Sequence, residues 1–150
     1  MRISQAGAAE LPGLARLLWL NDRAEEPDPP LLEKFTVELT QWWEANTNTH
    51  VAYVARLDGP ELVGMAWVAL VPRVPRPGTM DRMSADIQSV YVMPEHRGQR
   101  IGSELVEAAT DHAVRLGALR VTVHSGTRAV PVYERLGFAS SRQLLQRYPD

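Results

Sequence analysis

Arg97, Gly98, Arg100 and Gly102 fall within one short turn, two cations and two glycines together. Fixed positive charge beside backbone that lacks a Cβ suits a phosphate or pyrophosphate, because glycine lets the main chain approach a bulky anion closely. The flanking sequence fits that chemistry. Ile87 to Met93 is a short strand of mostly β-branched and aromatic residues, halted by Pro94, which cannot donate to a sheet ladder. After the turn, Ile101, Leu105, Ala108, Ala109 and His112 share one face of a helix. The first N–H groups of a helix lack internal partners and carry the positive end of its dipole, so an anion placed there satisfies them. Neither a Gly-Lys-Ser/Thr phosphate loop nor the three-glycine dinucleotide fingerprint occurs in the chain. Taken alone, the turn reads equally as an ordinary strand-to-helix connection.

The elements that position this turn follow from periodicity and breakers. Arg2 to Ala6 is predicted as a strand, and Ala8 to Asn21 as a helix with Leu11, Leu14, Leu17 and Leu18 on one face. An acidic, proline-broken loop covers Asp22 to Pro30. A second helix beginning near Pro30 carries Leu31, Leu32, Phe35, Leu39, Trp42 and Trp43. Phe35 is read as core. Trp42 and Trp43 are adjacent and so point in different directions, which leaves each open as core or as a contact patch. Strands over His50 to Arg56 and Leu62 to Val71 are joined by Asp58-Gly59-Pro60-Glu61. Pro72 to Ser84, with prolines at 72, 75 and 77, is irregular and long for a connection. It reads as a binding loop offering Arg73, Arg76, Asp81 and Arg82, or equally as a solvated hairpin end. Gly117 caps the third helix. A valine-rich strand over Leu119 to His124, a short helix over Arg128 to Leu136 ended by Gly137, and a closing edge strand over Leu144 to Tyr148 complete the chain. The predicted order is β-α-α-β-β-β-α-β-α-β, an α/β mixed sheet with helices on its faces, the strands around the third helix being parallel.

Composition sets the bounds. One hundred and fifty residues suit a single domain, 1–150, with a real core. Hydrophobic residues at 45% and charged residues at 23% are ordinary for a globular protein. A formal net charge of -2 gives no long-range reason to seek nucleic acid or anionic membrane. Zero cysteines exclude disulfides and thiolate metal sites and fit a reducing compartment, so a cytoplasmic location is expected. No apolar run approaches the about 20 residues that span a bilayer, and MRISQAGAAE lacks the apolar core of a signal peptide. His50, His96, His112 and His124 are scattered and suggest no metal site. Lys34 is the only lysine against many arginines, a bias of GC-rich, bacterial genomes.

Val90-Tyr91-Val92, Pro94 and Arg97-Gly98-Gln99-Arg100-Ile101-Gly102 resemble the acyl-CoA-binding motif of the GNAT superfamily of N-acyltransferases. Arg97 and Gly102 match its first and last positions, while Arg100 stands where the middle glycine is expected, and arginine tolerates positive φ poorly. Ala129, Tyr133, Gly137 and Phe138 resemble a second GNAT signature at its own spacing, with Gly126 where an asparagine often contacts the pantetheine arm. The resemblance implies a GNAT-like, mostly antiparallel sheet of six to seven strands with helices on both faces. It implies acetyl-CoA as acyl donor, held by Val90, Tyr91, Val92, Arg97, Gly98, Gln99, Arg100, Ile101, Gly102 and Ser103, with no metal. The acetyl group passes directly to a primary amine, on a small molecule or a peptide. By the same resemblance the central strand splays from its neighbour, so that Val90 to Val92 face Val123 to Ser125 and the pantetheine pairs there. Val92 N–H then holds the thioester oxygen and Tyr133 protonates the leaving thiol. The first two helices form a wall of the acceptor site, and the family allows a homodimer.

The general base stays open. Gln88 on the central strand cannot take a proton. His124 has a suitable intrinsic pKa, although it reads equally as a solvent-exposed strand end. Asp86, on the same face as Gln88, and a water relay complete the candidates. The acceptor is also open, because the acidic segment from Asp22 to Glu44 fits either a cationic acceptor or a solvated helix face. Other function classes consistent with the sequence are a non-catalytic acyl-CoA-binding sensor and an interaction domain using Trp42 and Trp43.

Overall fold

Five strands form one sheet in the order β1-β2-β3-β4-β5 in the computed structural model of the chain, which describes residues 1–149. β1 (Arg2–Gln5), β2 (His50–Arg56), β3 (Leu62–Pro72) and β4 (Met83–Val92) pair antiparallel in succession, and β5 (Val121–Val123) joins β4 in parallel. The helices are α1 (Leu11–Arg23), α2 (Pro29–Asn46), α3 (Ile101–Arg115) and α4 (Val130–Arg135). A parallel pair needs a crossover, and α3 supplies it.

The sheet is apolar on both faces, and the alternation of its side chains sorts two cores. Ala52, Val54, Met65 and Trp67 pack with Leu11, Leu14, Leu17 and Leu39 of α1 and α2. Tyr53, Ala55, Ala66 and Val68 pack with Ile101, Leu105, Ala109 and Ala113 of α3 on the other side. Two-sided burial is why β3 reads as a continuous apolar run. α3 sits close on β3: a Cβ at Gly64 would stand 2.9 Å from Leu105 Cδ1 and 3.2 Å from Tyr91 O.

The sheet has five strands and not the expected six to seven. Leu144 to Tyr148 forms no strand. A strand needs a ladder partner, and this stretch has none among the described residues: β5 pairs β4 over three residues only, and Leu144, Leu145 and Tyr148 are 61%, 86% and 74% exposed. β4 begins at Met83, earlier than expected, because Pro72 pairs with Met83 and extends the hairpin. The irregular stretch is therefore 73–82, closed by Arg73 N–H to Arg82 O at 2.7 Å and a bridge between Arg76 and Thr79. Among the described residues, no helix is long and apolar enough to cross a membrane, and no group of three or more His, Asp or Glu could hold a metal ion.

Candidate active site

A defect in β4 organises the site. Met65 pairs with Tyr91 and Trp67 with Gln88, so Ser89 and Val90 lie opposite Ala66 alone. This is a β-bulge, and Ser89 enters it with φ 51. Pairing with β5 ends just before it, at Ile87 and Val123. Val90 to Val92 therefore have no strand partner on their β5 side. Met93 N–H donates to Val63 O at 2.8 Å. Strand N–H groups alternate sides, so Val92 N–H and C=O face away from β3 into that gap. Arg97 confirms the direction: its Nε donates to Val92 O at 2.9 Å, with the guanidinium 5.4 Å from the centre of the Tyr91 ring.

The turn after β4 delivers a helix N-terminus to the same gap. A 3-10 turn over Pro94–His96 leads to Gly98 at φ 83 and Arg100 at φ 66, ψ 12, the residue that caps α3. Glycine reaches the left-handed region freely, whereas Arg100 does so at a cost of about 1–2 kcal/mol. Arg100 thus adopts, at the position where the motif expects its middle glycine, a left-handed conformation that glycine reaches freely. Intrahelical bonding starts with Glu104 N–H to Arg100 O at 3.1 Å. Ile101, Gly102 and Ser103 N–H precede it without intrahelical partners. A Cβ at Gly102 would make only an ordinary 3.6 Å contact with Val92 Cγ2, so no crowding within the protein excludes alanine there.

These groups line a cleft of about 770 Å³. Val90, Tyr91, Val92, Arg97, Gly98, Arg100, Ile101, Gly102 and Ser103 all face it, and Gln99 does not. α4 closes the opposite wall with Tyr133, whose ring meets Phe138 edge-on at 5.6 Å. Burial pushes the Tyr133 phenol above its ordinary value of 10.0. It therefore stays protonated at neutral pH. Asp86 and His124 lie outside the cleft. Asp86 accepts hydrogen bonds from Thr122 Oγ1 at 2.9 Å and Gln88 Nε2 at 3.1 Å, tying β4 to β5. His124 is exposed just past the end of β5.

A second cavity, of about 460 Å³, opens between α2 and the sheet. Phe35, Glu38 and Trp42 line it from α2, and His50, Trp67, Gln88 and Ser89 line it from the sheet. The ring of Trp42 lies 4.9 Å from His50 and 5.9 Å from Trp67, centre to centre. Trp43 instead packs against the α1–α2 core, and Phe35 serves both core and cavity. Trp67 Nε1 is buried without a hydrogen-bond partner among the described residues. Burial holds the His50 imidazole below its ordinary 6.5, with Thr49 Oγ1 at 2.8 Å from Nδ1. A smaller hollow joins the two cavities, sharing Leu18, Phe35 and Ser89 with one and Asn21 with the other. The sequence reading missed His50 and Trp67 as site residues. Their side chains share a face through the pairings of Ala52 with Trp67 and His50 with Ala69, a register that no local pattern displays.

A family model described as the acetyltransferase (GNAT) family matches residues 11–138. Over 87 residues, 54% of this chain, the sequence is 34% identical to mycothiol acetyltransferase of Corynebacterium efficiens. Over 84 residues, 55% of this chain, it is 32% identical to glucosamine 6-phosphate N-acetyltransferase of Trypanosoma brucei brucei. The matches span only 25% and 55% of those two proteins. The crystal structure of a predicted acetyltransferase from Clostridium acetobutylicum, determined with acetyl-CoA, has the same fold. Its TM-score is 0.72 at 19% identity, over 98% of this chain and 95% of that one.

Proposed function

The chain belongs to the GNAT acetyltransferase family, and from that membership we propose that it moves an acetyl group from acetyl-CoA to a primary amine by direct transfer. The observation that carries the reading is the gap in the sheet at Val90 to Val92 with the free N-terminus of α3 at its mouth. An extended amide chain fits beside unpaired strand backbone, and a pyrophosphate fits a helix N-terminus flanked by two arginines. Acetyl-CoA, when bound, supplies an acetyl group activated as a thioester whose sulfur departs as a thiol.

The chain's own groups do the rest. Ile101, Gly102 and Ser103 N–H, with Arg97 and Arg100, bind phosphate oxygens at the cleft mouth. Val92 N–H, fixed by the ladder on its other side, is the donor aimed at negative charge developing on the carbonyl oxygen. Tyr133, neutral in its half-buried place, gives its proton to the departing sulfur. Asp86 is already engaged by two donors and His124 stands in solvent, so among the proposed bases a water relay draws the most support. No cysteine is available for a covalent route.

Thermal unfolding with acetyl-CoA, free CoA and adenosine monophosphate tests the donor site. A ligand selective for the native state adds about 2.7 kcal/mol at a hundredfold excess over its Kd. A shift with both CoA forms and little with the nucleotide is expected. No shift at saturation overturns the assignment, and a shift without turnover on any amine would reduce the protein to an acyl-CoA-binding module.

A further inference from the structure

We infer that the aromatic cavity between α2 and the sheet holds the acceptor, and that this acceptor is an apolar primary amine of the arylalkyl type. The occupant's identity is argued from the cavity; its acetylation rests on the reading above.

Helical spacing puts Phe35, Glu38, Leu39 and Trp42 on one stripe of α2 facing the cavity. Trp67 closes the floor and is 4% exposed, while Trp42 stands at the rim, 41% exposed. An exposed tryptophan edge against a second indole is a wall that a flat, apolar body would cover. The charge pattern is as selective as the shape. Glu38 is the one carboxylate on the lining, and no lysine or arginine lines it. His50 is held neutral by burial, so it adds no cation at neutral pH. An ammonium group is attracted by aromatic faces and by Glu38. A phosphate or carboxylate would meet Glu38 with no cation to pair it, so a phosphosugar such as glucosamine 6-phosphate is rejected.

Position completes the argument. Gln88 and Ser89 line this cavity and the next residues, Val90 to Val92, line the donor cleft, because the bulge turns the strand between them. An amine whose body fills the cage therefore has its nitrogen beside the donor. There the nitrogen bonds to the acetyl carbon as the carbon–sulfur bond breaks. The bound ammonium first gives one proton to water, and the neutral nitrogen loses a second as the amide forms. Sulfur takes the Tyr133 proton, and that second nitrogen proton returns through water to Tyr133. The products are an amide and the free CoA thiol.

The test separates binding from transfer. Tryptophan fluorescence is titrated with 2-phenylethylamine, without acetyl-CoA, on the full chain and on Trp42→Ala and Glu38→Gln. CoA release is then followed with 2-phenylethylamine and with glucosamine 6-phosphate. Saturable binding that weakens about tenfold in Trp42→Ala and several-fold in Glu38→Gln is expected, with kcat/KM at least tenfold higher for the arylalkylamine. Unsaturable binding, variants that bind as the parent does, or preference for the phosphosugar would overturn the inference. Saturable binding lost in Trp42→Ala, but with no CoA release from either amine, would uphold the occupant and overturn acetyl transfer.

Discussion

Tyr133 stands half-buried in the wall of the donor cleft with its hydroxyl making no hydrogen bond among the described residues. Burial keeps that phenol protonated at neutral pH, the form in which we propose that it serves as the proton donor. Tyr133→Phe is expected to lower kcat by about 10²–10⁴-fold while leaving acetyl-CoA affinity unchanged, read by CoA release and by titration. Arg100 makes a different argument from one backbone angle. At φ 66 its Cβ costs about 1–2 kcal/mol, of which a glycine's greater unfolded entropy returns about 0.5–1. Arg100→Gly should therefore raise stability by about 0.5 kcal/mol in urea unfolding while weakening acetyl-CoA binding through the lost charge. A variant that is less stable would mean that the Arg100 side chain makes a compensating contact.

At the scale of elements, function comes from a mismatch between strands. β4 is long enough to pair with β3 along its length, yet its bulge and the short β5 leave its last residues unpaired on one side. α3 is placed over that gap because Gly64 lets it sit tightly on β3. Gly102 lies in the first turn of α3 and faces the cleft. Gly102→Trp should abolish the thermal shift produced by acetyl-CoA while the unliganded melting temperature stays close to that of the parent chain. A retained shift would detach the helix N-terminus from donor binding. For the aromatic cavity, our proposed acceptor site, α2 contributes a stripe of side chains and the sheet contributes the floor.

For the whole molecule, an acid sensitivity is expected from two partly buried histidines on opposite faces of the sheet. His50 lies by the aromatic cavity, and His112 lies against Tyr53, whose hydroxyl is 3.0 Å from its Nδ1. Burial lowers both, and nearby Arg115 lowers His112 further. In the unfolded chain each titrates near 6.5, so below that pH the unfolded state binds more protons than the fold does. Stability contributed by the neutral imidazoles is complete above 6.5 and is lost as pH falls through their lowered values. Urea unfolding at a series of pH values should show this loss, and a His50→Gln, His112→Gln double variant should flatten it below pH 6.5. An unchanged slope would place the acid sensitivity elsewhere.

Much of this architecture was legible in the chain itself. The donor turn is local: a strand halted by Pro94, two arginines, and a helix begun at Ile101 lie within one run of sequence, and helix periodicity needs no distant information. Tyr133, singled out by its spacing to Ala129 and Phe138, lines the cleft wall. Partners distant in sequence were not legible. Leu144 to Tyr148 was expected as a closing edge strand, but only an available sheet edge makes one, and the short β5 leaves these residues in solvent. His124, one of the candidate bases, lies one residue beyond β5 and outside the cleft lining, a placement that the sequence does not display. The aromatic cavity joins Trp42, His50 and Trp67 from three elements through strand register, which a single-residue slip would invert. Local pattern thus determined the helices and the turn between β4 and α3, and motif resemblance the family, because each rests on residues close together in the chain. Tertiary structure alone decided the number of strands, the bulge at Ser89 and Val90 and which residues line the aromatic cavity, because each depends on which distant residues the sheet brings face to face.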